Sequence, residues 1–139
     1  MNELNSTVQA LRLDPVTQAI SLLGPPVSSL RSPVPNNSGA EVQVSADGRF
    51  VYTSNRGDQS IAQFSVGADG TLSLVNTYKT GGATPRHFSL DPSGRWLLVA
   101  NQDSGTITVM GVQDTTGVVQ GVRQTVNLAA VQYVEVLTL

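Results

Sequence analysis

Two stretches of the chain are the same sentence written twice. Residues 40–64, AEVQVSADGRFVYTSNRGDQSIAQF, and residues 86–110, RHFSLDPSGRWLLVANQDSGTITVM, superpose at a constant offset of 46. Gly48 falls on Gly94, Arg49 on Arg95, Phe50 on Trp96, Asn55 on Asn101, Ile61 on Ile107 and Phe64 on Met110. A repeat of roughly 40–50 residues built from short strands is the mark of a β-propeller, each repeat being one four-stranded blade. The same register reaches back to the start of the chain. Asn2, Thr7, Val8, Leu11 and Leu13 fall on Asn55, Ser60, Ile61, Phe64 and Val66 at an offset of 53. The chain is thus expected to open in the second half of a blade.

Within each full repeat, alternating apolar residues mark the strands and Asp-Gly or Asn-rich clusters mark the hairpin turns. Val42 and Val44 lead to the turn Ala46-Asp47-Gly48, and Phe50, Tyr52 and Ser54 follow on the next strand. Ile61 and Phe64 bracket a third strand, and Leu72 and Leu74 alternate in a fourth. No window carries helical periodicity over a useful length, so the expected class is all-β. The blocks are a half blade over 1–22, a Pro-rich loop over 23–39, and full blades over 40–81 and 82–127. An orphan closing strand is expected over 128–139, carried by Val131, Tyr133, Val134, Val136 and Leu137. Pro25, Pro26, Pro33 and Pro35 cannot donate to a ladder, which is why 23–39 reads as an insertion between blades. A ring needs about four blades or more, so these pieces describe one domain forming an open arc. Its bare edges point to self-association or to a partner chain.

Composition narrows the function classes. Charged residues are 13% of the chain and the net charge is −2, with no basic tract to favour nucleic acid or an anionic membrane. No apolar run approaches the ~18 residues of a spanning helix, and no charged-then-apolar leader opens the chain, so it reads as soluble and cytoplasmic. With no cysteine there is no disulfide or thiol chemistry. The triplets Asn5-Ser6-Thr7 and Asn36-Asn37-Ser38 match glycosylation sequons, a pattern common by chance.

Several charged residues gather at one place in the repeat. In an antiparallel blade the start of the first strand and the end of the second lie at the same end of the sheet. Glu41 starts a first strand and Arg56 ends its partner; Arg86 and His87 start the next blade, where Asn101 and Gln102 end the second strand. Glu3 takes the place of Arg56 in the preceding repeat. One mouth of the arc is therefore expected to hold Glu3, Glu41, Arg56, Arg86 and His87. Guanidinium groups clamp planar oxyanions, and a carboxyl group among them can carry a proton, which suits a small anionic substrate. Each residue also has a plainer reading. Arg56 could pair with Asp58 in a solvated turn, and Arg86 could serve a Thr-Pro-Arg turn. Strand alternation points His87 away from Arg86, towards packing or a backbone hydrogen bond. Phe50, Tyr52, Phe64, Phe88 and Trp96 read as core between blades, and Asn55 and Asn101 as turn formers.

The ordered set Asn2-Glu3-Leu4, Ala40-Glu41-Val42, Tyr52 to Arg56 (YTSNR), Pro85-Arg86-His87-Phe88 and Ala100-Asn101-Gln102 resembles the seven-bladed lactonase family, which includes bacterial-type 6-phosphogluconolactonase and fungal carboxy-cis,cis-muconate cyclase. The resemblance covers nearly the whole chain but only about the last two-fifths of the family's usual length. It implies Glu41 as acid/base, Arg56 and Arg86 as catalytic anion binders, and Glu3, His87 and Gln102 as substrate-binding neighbours, with no metal and no cofactor. The family's upstream histidine belongs to an earlier blade, and Leu128 to Val134 (LAAVQYV) lacks the Gly-Pro-x-Trp ending of some members. The turns Asn55-Arg56-Gly57 and Ala100-Asn101-Gln102 lie closer to the cyclase branch, so a carboxy-muconate cyclase-like lactonising enzyme is the expected activity. A 6-phosphogluconolactonase-like hydrolase is one alternative. A truncated, non-catalytic fragment or an accessory protein of a biosynthetic gene set is the other.

Overall fold

A computed structural model of the chain describes residues 1–137 and contains ten strands. β1 (Thr7–Leu13) and β2 (Ile20–Ser28) pair as a two-stranded sheet. β3 (Gly39–Val44), β4 (Phe50–Asn55), β5 (Ser60–Val66) and β6 (Leu72–Lys79) form one four-stranded antiparallel sheet in sequence order. β7 (Pro85–Leu90), β8 (Trp96–Asn101), β9 (Thr106–Val112) and β10 (Val119–Asn127) form a second. Among the described residues no helix forms, and none is therefore long and apolar enough to cross a membrane.

Burial explains why the three sheets stack. Side chains alternate across a strand, so β4 and β5 send Tyr52 and Ile61 to one face and Val51, Ala62 and Phe64 to the other. The first set packs against Phe88, Leu97, Val99, Met110 and Val119 of the second blade; the other set packs against Val8 and Val27 of the β1–β2 sheet. The middle sheet is thus apolar on both faces, and neither face is satisfied without a neighbouring sheet. Polar bonds fix the spacing between blades. The Tyr52 hydroxyl donates to the Gly117 carbonyl at 2.7 Å, and Arg49 donates to the carbonyls of Asp114 and Thr115 at 2.9 and 3.0 Å. Gln43, on an inner strand, donates to the Phe88 carbonyl and accepts from the Leu90 amide, at 2.8 and 3.0 Å.

Three expectations change in detail. The segment 23–39 is not all loop: β2 runs to Ser28 through Gly24-Pro25-Pro26. Gly24 holds φ +69° beside a register shift between Val8 and Ala10, and β2 is an edge of its sheet, where prolines need not donate. The rest of the loop is tied down by polar contacts, since Asn37 accepts from the amides of Gly57 and Asp58 and donates to Ser6 and Asn55. Residues 128–137 form no strand, and 138–139 of the expected closing strand lie outside the described residues. That segment instead lies along β7: Val131 is buried, the Val134 amide reaches His87, and Ser89 donates to Glu135 at 3.2 Å. Trp96 is not core. Its repeat partner Phe50 sits against Gly117 of the following blade, whereas Trp96 is 43% exposed.

Asn55 and Asn101 occupy the same repeat position but unequal surroundings. Asn55 accepts from Ser29 and Asn37 and donates to the Ser29 carbonyl and Ser60, all in a buried site. Asn101 donates to Thr108 and Val99, while its Oδ1 is buried without a partner. Asn55→Ala is therefore expected to cost about 3 kcal/mol, and Asn101→Ala about 1 kcal/mol, in urea unfolding. Equal losses would show that the Asn37 and Ser29 contacts add nothing to the turn. The Asp47 carboxyl supplies a pH handle. The Ser45 hydroxyl, then the Arg49 amide and guanidinium, hold its pKa at about 2 against an ordinary 3.8. Because the folded value is the lower one, its stabilising share is complete above pH 3.8 and is lost as pH falls through about 2. The stability gap between wild type and Asp47→Asn should accordingly close over that interval.

Candidate functional site

The first strand of each full blade carries an irregularity at the same place. Pairing of β3 with β4 shifts register between Gly39 and Val42, and pairing of β7 with β8 shifts between Pro85 and His87. An extra residue in one strand breaks the two-residue alternation and re-aims side chains. The bulge therefore brings Arg86 and His87 to the same side, where strict alternation would have separated them. At Glu41 it frees the backbone amide from the ladder, and that amide donates to the Ser54 hydroxyl at 3.0 Å.

Residues of both bulged strands line one cleft of about 500 Å³. Met1, Glu3, Glu41, Arg56, Arg86, His87 and Tyr133 line it, together with Gly39, Ala40 and Gln132. Five of the six residues singled out from the sequence thus share one cavity. Gln102 does not line it. It stands at the repeat position of Arg56, half-buried, with its Oε1 buried and without a partner among the described residues.

The charges in the cleft are arranged in pairs. Arg56 Nη2 contacts the Glu3 carboxylate and lies 3.3 Å from the Gly39 carbonyl, so this guanidinium is tethered to the preceding blade rather than to Asp58. Asp58 pairs with Lys79 instead, at 2.7 Å. His87 Nε2 lies 3.2 Å from Glu41 Oε2, and the second carboxylate oxygen, Oε1, accepts from the Val42 amide at 2.9 Å. Arg86 is exposed and, among the described residues, has no carboxylate partner. It is the cation of the cleft with an uncommitted fork. Among the described residues no cluster of His, Cys, Asp and Glu could hold a metal ion.

Tyr133 was not legible as a site residue. Its ring lies 4.2 Å from the His87 ring at a 39° tilt, and its hydroxyl donates to Glu135 at 2.8 Å. That bond to a carboxylate raises the phenol pKa above its ordinary value. A signal was present, because Glu41, His87 and Tyr133 are separated by the repeat offset of 46 twice over. The same step relates Gln43, Ser89 and Glu135, two of which are bonded to each other. Equivalent residues of β3, β7 and the segment after β10 therefore stand side by side around the mouth.

Comparison with known proteins agrees with the fold. The family model described as lactonase, 7-bladed beta-propeller, matches residues 1–136. The chain belongs to this lactonase family. It is 35% identical over 119 residues to the 6-phosphogluconolactonase of Bacillus subtilis, covering 84% of this chain and 34% of that one. The solved structure of a Lactobacillus plantarum protein superposes with a TM-score of 0.86 at 34% identity, over 93% of this chain and 38% of the other. A periplasmic gluconolactonase from Pseudomonas aeruginosa superposes with a TM-score of 0.83 at 29% identity, over 94% and 36%. The chain spans between a quarter and about a third of the length of the curated relatives it matches. The lactonase part of the expected activity agrees with the family description and with two of these names; the narrower cyclase expectation has no such support.

Proposed function

We propose that the cleft hydrolyses a small sugar-derived lactone, with the 6-phosphogluconolactonase-like reading taking the place of the cyclase reading drawn from the turns. The observation that supports it is the company Glu41 keeps. Glu41, whose carboxylate accepts from the Val42 amide and lies 3.2 Å from His87 Nε2, shares with Arg86, a guanidinium without a carboxylate partner among the described residues, a cavity large enough for a sugar lactone. Because the chain covers about a third of its relatives, it supplies one sector of the working cavity.

The chemistry asked of these residues is modest. Glu41 takes a proton from water as the oxygen attacks the lactone carbonyl carbon, and charge develops on the carbonyl oxygen. Arg86 stabilises that oxyanion, or the substrate's own anionic group, through its planar pair of donors. Collapse of the tetrahedral intermediate breaks the bond to the ring oxygen, which takes the proton back from Glu41. The product is an open-chain hydroxy acid. Arg56, tethered to Glu3, shapes the wall between the two blades and adds positive potential without offering a free fork. His87 borders the carboxylate.

Hydrolysis of gluconolactone and of its 6-phospho form, followed by acid release in a pH-stat against the spontaneous rate, tests the reading. Glu41→Gln is expected to lower kcat by about 100-fold or more with KM nearly unchanged, since it removes the proton carrier and keeps the shape. Arg86→Lys should raise KM for the phosphorylated substrate more than for the neutral one, because a point charge cannot reproduce the bidentate contact. No hydrolysis above the spontaneous rate with either substrate would overturn the reading.

A further inference from the structure

We infer that His87 is the positioning residue of Glu41, holding its carboxylate through Nε2–H while a backbone amide fixes the opposite side of the ring. The kinetic part of this inference rests on the lactone-hydrolase reading, and the spectroscopic part does not. Each ring nitrogen of His87 has one polar neighbour, and the two neighbours demand the same tautomer. Glu41 Oε2 lies 3.2 Å from Nε2, and a carboxylate oxygen facing a ring nitrogen favours the proton on that nitrogen. The Val134 amide, at 3.5 Å from Nδ1, can only donate, so Nδ1 keeps its lone pair. The Tyr133 ring covers the imidazole, and only 13% of the His87 side chain is exposed.

This arrangement decides which partner handles the proton. The free lone pair of His87 is directed at the backbone of residue 134 and not into the cleft, so the ring cannot serve as the base toward a bound water. Glu41, by contrast, has one oxygen 3.2 Å from His87 Nε2 and the other bonded by the Val42 amide, and it lines the cavity. A carboxylate gripped on both oxygens keeps its remaining lone pairs in one direction, and placement errors of about 1 Å cost on the order of 100-fold in rate. Three blade-equivalent positions thereby form one relay of contacts: Tyr133 braces His87, and His87 braces Glu41.

His87 is the sole histidine of the sequence, so its ring can be read without assignment. In ¹⁵N-labelled protein, a single imidazole N–H proton resonance is expected, protected from solvent exchange, coupled to Nε2, and lost in Glu41→Ala. A resonance coupled to Nδ1, no protected resonance, or one indifferent to Glu41→Ala overturns the inference. With lactone substrate, His87→Ala should lower kcat about tenfold, roughly the worth of one hydrogen bond to a charged group, with KM within about twofold. His87→Gln, whose amide nitrogen reaches the place of Nε2, should recover most of the loss; His87→Asn, whose amide lies at the place of Nδ1, should not. Equal behaviour of the Gln and Asn variants, or a loss in KM alone, also overturns it. Absence of lactone turnover in the wild-type protein would remove the proposed function, and the dyad would then stand or fall on the imidazole resonance.

Discussion

The middle blade cannot bury itself. Tyr52 and Ile61 on one face and Val51, Ala62 and Phe64 on the other are fully or nearly fully enclosed, and each face is closed by a different sheet. Apolar burial of this kind has no direction of its own, so it sets that sheets stack but not how far each is turned. The turning is left to a few directional bonds, such as Tyr52 to Gly117, Arg49 to Asp114, and Gln43 to Phe88 and Leu90. Once those are made, the inner strands of successive blades stand in line, and whatever side chains occupy equivalent positions on them meet at the mouth.

The cleft exists because two inner strands are irregular where regular pairing would have been cheaper. A bulge sacrifices ladder bonds, and here the freed Glu41 amide is recovered by the Ser54 hydroxyl. What the irregularity gains is aim: Glu41, Arg86 and His87 face one cavity. A regular β7 would have turned Arg86 to the side opposite His87.

Much of this was legible in the sequence. The offset of 46 between Gly48 and Gly94 and between Asn55 and Asn101 fixed the blades, their turns and the mouth at which Glu41, Arg56 and Arg86 collect. What it left out depends on features with no repeat signal in a single strand. The bulge beside Pro85 leaves Arg86 unpaired and removes its expected opposition to His87, and alternation alone has no means of showing it. Gln102 was placed at the site by its repeat position, yet it does not line the cleft and its Oε1 is buried. The prolines at 25 and 26 read as a break because ladder bonds are two-sided in an inner strand, whereas β2 is an edge and needs only one side. Tyr133 was visible as a third copy of the position of Glu41, once the register is carried one step further.

That third copy separates the two kinds of work a repeat does. Where the backbone makes a demand, the repeat keeps one residue: Gly48 and Gly94 both hold positive φ in their turns, and Asn55 and Asn101 both end their second strands. Where the backbone has been satisfied by a bulge, the repeat is free to differ. The positions of 41, 87 and 133 carry a carboxylate, an imidazole and a phenol, each against the next. The positions of 3, 56 and 102 carry a carboxylate, a guanidinium and an amide, of which the first two are paired. A ring of identical residues at these places would have put like charges side by side, which is unfavourable in a partly enclosed cavity. Divergence at equivalent positions, in a chain whose turns are copied so faithfully, is therefore what an asymmetric binding site at the mouth of a symmetric fold requires.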